Sequence, residues 1–158
     1  MLKAVIIDDE KDSRQILANY LTKYCPDVKV CGFGESVATG LEAIKKLDPE
    51  IVFLDIEMPY GNGFDLLDKV ENVNFETVFV TAFDNYAIRA LNQSAAYYLL
   101  KPVDIDELIK AVEKIKTSPR QYAKRQMTWF RADKDIRWFA PFEFDDVVSF
   151  VDGKIQHK

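Results

Sequence analysis

The chain has 158 residues, 48% of them apolar and 30% charged, and carries a net charge of −5. This is the composition of a globular domain with a short appendage, and it excludes a disordered or fibrous chain. One histidine, His157, excludes histidine-rich metal sites and Ser-His triads.

The first apolar run, Ala4–Ile7, passes straight into Asp8, Asp9 and Glu10, so a strand is expected here and no signal peptide. Ile16, Leu17, Tyr20, Leu21 and Tyr24 then form a helical stripe. Cys25 and Cys31 lack zinc-site spacing and cannot form a disulfide framework, which suits reduced thiols in a cytoplasmic protein. Val28–Phe33 is a second strand, interrupted by Lys29 and suited to a sheet edge. Val37, Leu41, Ile44 and Leu47 mark a second helix behind a Ser36 cap, ended by Asp48-Pro49. Ile51–Leu54 is a third strand, and Phe64, Leu67 and Val70 mark a short third helix. Gly61 and Gly63 are explained by turn geometry. Val78–Val80 and Tyr97–Leu100 complete the strands, with a fourth helix at Ala87, Ala90 and Leu91 between them. Asp104 caps the last helix, Glu107 completes a capping box, and Ile105, Leu108, Ile109, Val112 and Ile115 form its buried face. Ala95–Leu100, the longest apolar run, is far short of the roughly 18 residues a membrane span needs.

Five β-α units predict an α/β fold, a doubly wound, five-stranded parallel sheet with helices on both faces. The expected domain covers residues 1–116 and holds 13 Lys+Arg against 20 Asp+Glu, a net of −7. Residues 117–126 read as a linker and 127–158 as two or three antiparallel strands, and residues 117–158 together hold 8 Lys+Arg against 6 Asp+Glu, a net of +2. The aromatic residues Trp129, Phe130, Trp138, Phe139, Phe142 and Phe144 fit a buried β face better than base-stacking positions.

Ligands of an open α/β sheet bind beyond the carboxyl ends of the strands, and the right-handed crossover puts those ends on one rim. Read this way, Asp8 and Asp9, Asp55, Thr81 and Lys101 converge. Clustered carboxylates raise one another's pKa unless a cation neutralises them, and an oxygen-only set suits Mg²⁺. A carboxylate beside Mg²⁺, facing Lys and Thr, can attack a phosphoryl group.

The stretches Lys3–Glu10, Ile51–Pro59, Thr81-Ala82 and Lys101-Pro102 resemble the receiver domain of bacterial two-component response regulators, over residues 2 to about 116. Thr81–Ala90 and Tyr98–Pro102 are similar to the subgroup with a C-terminal LytTR DNA-binding domain, and Ile136–Phe150 is similar to the opening of that domain. The resemblance implies a flavodoxin-like strand order, 2-1-3-4-5. It makes Asp55 the phosphoacceptor, charged by a sensor histidine kinase, and places Mg²⁺ on Asp8, Asp9, Asp55 and the backbone carbonyl of Glu57. Lys101 would pair with the phosphate, Thr81 would hydrogen-bond it, and Tyr98 would be the switch aromatic. It also implies a cis Lys101-Pro102 peptide and Glu57 and Phe83 flanking the line of attack of water. Tyr97, a departure from many relatives, is expected to pack at the sheet edge.

The resulting expectation is a cytoplasmic signalling switch, not an enzyme in the usual sense, that controls transcription. It would pair through helix 4, strand 5 and helix 5, contact no membrane, and reach DNA only through a complete output domain. A Mg²⁺-dependent phosphohydrolase with an aspartate nucleophile is the alternative. Its haloacid-dehalogenase-like form wants Asp-x-Asp-x-Thr after strand 1, which Asp8–Asp12 does not match. A flavodoxin-like cofactor binder would want a Ser/Thr/Gly phosphate loop where this chain has acid.

Overall fold

A computed structural model describes residues 1–119 apart from Asn72, and the backbone alone at Leu91. The expected linker beyond Pro119 and the expected strands of 127–158, with Trp129, Trp138 and His157, lie outside the described residues.

Five strands form one parallel sheet: β1 (Leu2–Ile7), β2 (Val28–Gly34), β3 (Ile51–Leu54), β4 (Glu76–Thr81) and β5 (Tyr97–Leu100). Their order is β2-β1-β3-β4-β5, the flavodoxin-like order expected, and β2 is an edge strand. The helices are α1 (Lys11–Tyr24), α2 (Val37–Leu47), α3 (Gly63–Asp68), α4 (Ala87–Asn92) and α5 (Ile105–Lys116). A two-residue antiparallel ladder pairs Glu57–Met58 with Gly61–Asn62 between β3 and α3, its turn set by positive φ at Tyr60 and Gly61.

Because side chains alternate across a strand, each core strand feeds two cores. Ala4, Ile6, Ile51, Phe53, Val78 and Val80 meet Leu17 and Leu21 of α1 and Leu108, Ala111, Val112 and Ile115 of α5. On the opposite face, Val5, Ile7, Val52, Leu54 and Phe79 meet Val37 of α2, Phe64, Leu66 and Leu67 of α3, and Ala90 of α4. Three of the continuously apolar runs, in β1, β3 and β4, are thus strands covered on both sides, whereas β5, expected to be covered likewise, is an edge strand with Leu100 exposed.

Several local expectations are corrected. Ile16 belongs to no stripe, being 51% exposed while Ala18 takes the buried position beside Leu17 and Leu21. In α3, Leu66 is fully buried, and Val70 lies beyond the helix end. Ser36 does cap α2, and Thr39 closes a capping box with it. Asp104 accepts from the Glu107 N–H at 2.9 Å, but the Glu107 carboxylate points away from the cap to Tyr97 Oη and Lys110 Nζ, each at 2.8 Å. Two good donors outcompete a single backbone N–H. Tyr97 is accordingly edge packing, with Lys114 Nζ over its ring.

Turn geometry accounts for Gly61 but not for Gly63, the first residue of α3. A Cβ there would lie 2.5 Å from the carbonyl oxygen of Asp55 and 3.1 Å from Leu54 Cγ. The Gly63 N–H also donates to the Ile56 carbonyl at 2.8 Å, which draws the helix onto the end of β3. Gly63→Ala should therefore lower stability by roughly 1–2 kcal/mol in urea unfolding, overpacking outweighing the gain in helix propensity. An unchanged midpoint would contradict this close approach.

Candidate functional site

The parallel ladders continue one residue past the strands, and this continuation aims the chemistry. Asp8 N–H donates to the Gly34 carbonyl at 3.1 Å, Asp55 N–H to Ile7 at 2.8 Å, and Lys101 N–H to Thr81 at 2.8 Å. Each residue following a strand is thereby fixed as though it were still in the sheet, at the carboxyl rim.

Asp8 and Asp55 are only 4% and 6% exposed, whereas Asp9 faces solvent. One carboxylate oxygen from each of the three lies within 4.8 Å of those from the other two. Lys101 Nζ bridges the two buried members, 2.6 Å from Asp55 Oδ2 and 2.8 Å from Asp8 Oδ2, with Glu10 Oε2 farther off at 3.6 Å. The other oxygens of the pair are held by backbone: Asp8 Oδ1 accepts from Glu10 N–H at 2.8 Å and Asp55 Oδ1 from Ile56 N–H at 2.6 Å. The Lys101-Pro102 peptide is cis.

Burial is the main force pushing the Asp8 carboxyl above its usual range; Lys101 and the Glu10 N–H oppose it, and the Asp55 charge adds a little. Repulsion between carboxylates, the reason the sequence suggests, is the smaller cause. For Lys101 burial works against the ammonium, but hydrogen bonds to Asp55 and Asp8 outweigh it and push the group up. Its folded value lies above the unfolded one, so the pairing contributes fully at neutral pH. The contribution is lost only as pH rises through that folded value. Three carboxylates against one ammonium leave the cluster short of positive charge. An oxygen-only donor set with one exposed member fits a hard divalent ion such as Mg²⁺.

Thr81 is fully buried at the end of β4, and its Oγ1 accepts a long 3.5 Å contact from Phe83 N–H. Tyr98 is half-buried against Phe79, and its hydroxyl donates to the Phe83 carbonyl. Glu57 is exposed, and its carboxylate accepts from Tyr86 Oη at 3.2 Å. Asp8, Asp9, Asp55 and Lys101 therefore form one cluster, with Thr81 and Tyr98 on the adjoining strands.

Sequence reasoning missed two supports. Arg14 of α1 donates to the Asp8 carbonyl and lies 3.8 Å from Glu35, pinning the acidic turn. Its only signal is a cation one helical turn beyond that turn. Tyr86 has no local signal at all, because its partner Glu57 is 29 residues away.

Residues 4–113 match the family model for the response regulator receiver domain. A response regulatory protein of Vibrio cholerae is 42% identical over 116 residues, which cover 73% of this chain and 48% of that protein. Sensory transduction protein LytT of Bacillus anthracis is 38% identical over 173 aligned positions, covering 100% of this chain and 70% of that protein. Several of these curated relatives are about twice as long as the segment the chain matches. The receiver domain of the response regulator NarL from Mycobacterium tuberculosis superposes with a TM-score of 0.65 at 29% identity, covering 74% of this chain and 98% of that one. Strand order, rim and match agree: this chain belongs to the response regulator receiver domain family.

Proposed function

We propose that the chain is a phosphorylation-dependent switch that accepts a phosphoryl group on Asp55 from a phosphohistidine of a sensor histidine kinase. The observation that carries this reading is the buried Asp55 carboxylate, paired with Lys101 and grouped with two further carboxylates at the rim. Asp8, Asp9 and Asp55, with the backbone carbonyl of Glu57, would hold Mg²⁺, which when bound supplies positive charge to the phosphoryl oxygens.

The side chains do the rest. An Asp55 carboxylate oxygen attacks phosphorus; the new P–O bond forms as the P–N bond of the donor breaks, and its electron pair leaves with the imidazole. Lys101, already on Oδ2, follows the charge onto the phosphoryl oxygens. Thr81 donates its hydroxyl to one of them, and the segment after β4 moves with it. Tyr98 holds that segment at the Phe83 carbonyl, so the movement reaches β5 and draws the Tyr98 ring inward. The protein thus assists its own phosphorylation and dephosphorylation and turns over no separate substrate.

The output would come from a LytTR-like domain. Residues 1–116 would be the receiver, 117–126 a linker, and 127–158 the first part of a LytTR-like domain. The match to LytT, which runs across the whole chain, supports a relationship to the LytT-type regulators. Transcription would be controlled in the cytoplasm, with DNA reached only through a complete output domain. Pairing of two copies would use α4, β5 and α5, where Ile88 is 76% exposed and Leu100 faces solvent. Among the described residues no helix is long and apolar enough to cross a membrane.

Acetyl phosphate with Mg²⁺ should add one phosphoryl group by intact mass, removable by hydroxylamine, and Asp55→Asn should stay unmodified. Modification of that variant to the wild-type extent would remove the assignment. Asp9→Asn relieves charge crowding, so its metal-free unfolding midpoint should rise by a few degrees while its response to Mg²⁺ vanishes; a wild-type response to Mg²⁺ would contradict the ligand set. Phe83 is bulky, apolar and partly exposed at the rim. Phe83→Ala should shorten the phospho-state half-life several-fold by admitting water, and an unchanged or longer half-life would refute the shielding.

A further inference from the structure

Two residues stand at equivalent places beyond the acceptor and the hydroxyl: Glu57 two positions after Asp55, and Phe83 two after Thr81. One side chain touches both. The Tyr86 hydroxyl donates to Glu57 Oε1 at 3.2 Å, and its ring meets that of Phe83 edge-on, centroids 6.2 Å apart. Tyr86 is itself mounted on the core. Its ring lies 6.1 Å from Phe64, which is fully buried, 5.0 Å from Phe79 and covered by the Arg89 guanidinium at 4.1 Å. Its carbonyl accepts the Ala90 N–H at 2.9 Å, which fixes it at the start of α4.

We infer that Tyr86 is a positioning residue for the phosphoryl site: it ties Glu57 to Phe83 across the rim and so sets how long a phosphoryl group on Asp55 resists water. The inference rests on Asp55 being the phosphoacceptor. In hydrolysis a water oxygen bonds to phosphorus as the P–O bond to Asp55 breaks. The electron pair returns to the carboxylate, and the water proton passes to the phosphate or to solvent. The water must enter in line with the breaking bond. Rim residues that move independently open that line more often than residues tied to one phenol. Glu57 lies in the short ladder after β3, and Phe83 in the segment after β4. The Tyr86–Glu57 hydrogen bond joins these segments directly, while the Tyr98–Phe83 bond fastens the second of them from the β5 side.

The test follows loss of the phosphoryl group by intact mass, after acetyl phosphate and Mg²⁺ treatment and removal of the donor. It uses the wild type, Tyr86→Phe, Glu57→Ala and the double variant. Tyr86→Phe keeps the ring and removes only the tie, so its half-life should fall about three- to tenfold, the equivalent of one partly exposed hydrogen bond. Glu57→Ala should shorten it as well, and adding Tyr86→Phe to Glu57→Ala should shorten it no further. A merely structural role would not produce that saturation. A Tyr86→Phe half-life equal to the wild type overturns the inference, as does a double variant shortened by the product of the single effects. A wild type that takes up no phosphoryl group fails at the earlier step, and removes the Asp55 reading together with the role of Tyr86.

Discussion

The Lys101 ammonium is the interaction on which the site depends. Two carboxylates, Asp8 and Asp55, are buried at the ends of neighbouring strands, and a single cation lies within 2.8 Å of both. Burying a charge is expensive unless it is paired and hydrogen-bonded. Each carboxylate satisfies both conditions, one oxygen on Lys101 and the other on a backbone N–H. The arrangement still leaves negative charge in excess, because Asp9 adds a third carboxylate to the cluster. That imbalance makes the site receptive to a divalent ion.

The fold exists to hold this imbalance in place. Parallel ladders extended by one residue fix Asp8, Asp55 and Lys101. Gly63 brings α3 against the Asp55 carbonyl, and Arg14 clamps the carbonyl of Asp8. Thr81 and Tyr98 lie on adjacent strands, and the segment between β4 and α4 is held by tyrosine hydroxyls from two directions. On the proposed reading, such a segment would shift as a unit when one of its contacts is exchanged for another.

Much of this is legible in the residues, for identifiable reasons. Continuous apolar runs mark the central strands β1, β3 and β4 as covered on both faces, and Ser36 and Asp104 mark helix starts because capping is local chemistry. The grouping of Asp8, Asp55 and Lys101 follows from strand ends and a fixed crossover hand. What stays hidden is decided by tertiary competition. Ile16 has the spacing of a core residue, yet the docking angle of α1 buries Ala18 instead. Glu107 has the spacing of a capping box, yet Tyr97 and Lys110 take its carboxylate. Gly63 resembles a turn glycine, but the carbonyl of Asp55 is what excludes a side chain there. Tyr86 carries no sign of its partner, because no local rule links it to Glu57.

The central claim is that the rim cluster is short of one cation and is completed by Mg²⁺ at Asp8, Asp9 and Asp55. A Mg²⁺ titration followed by backbone amide NMR tests it most directly. The account predicts saturable shifts in the millimolar range, concentrated at residues 8–10, 55–57, 81–83 and 101, and absent from Asp9→Asn. Shifts that do not saturate, or that fall elsewhere on the surface, would contradict it.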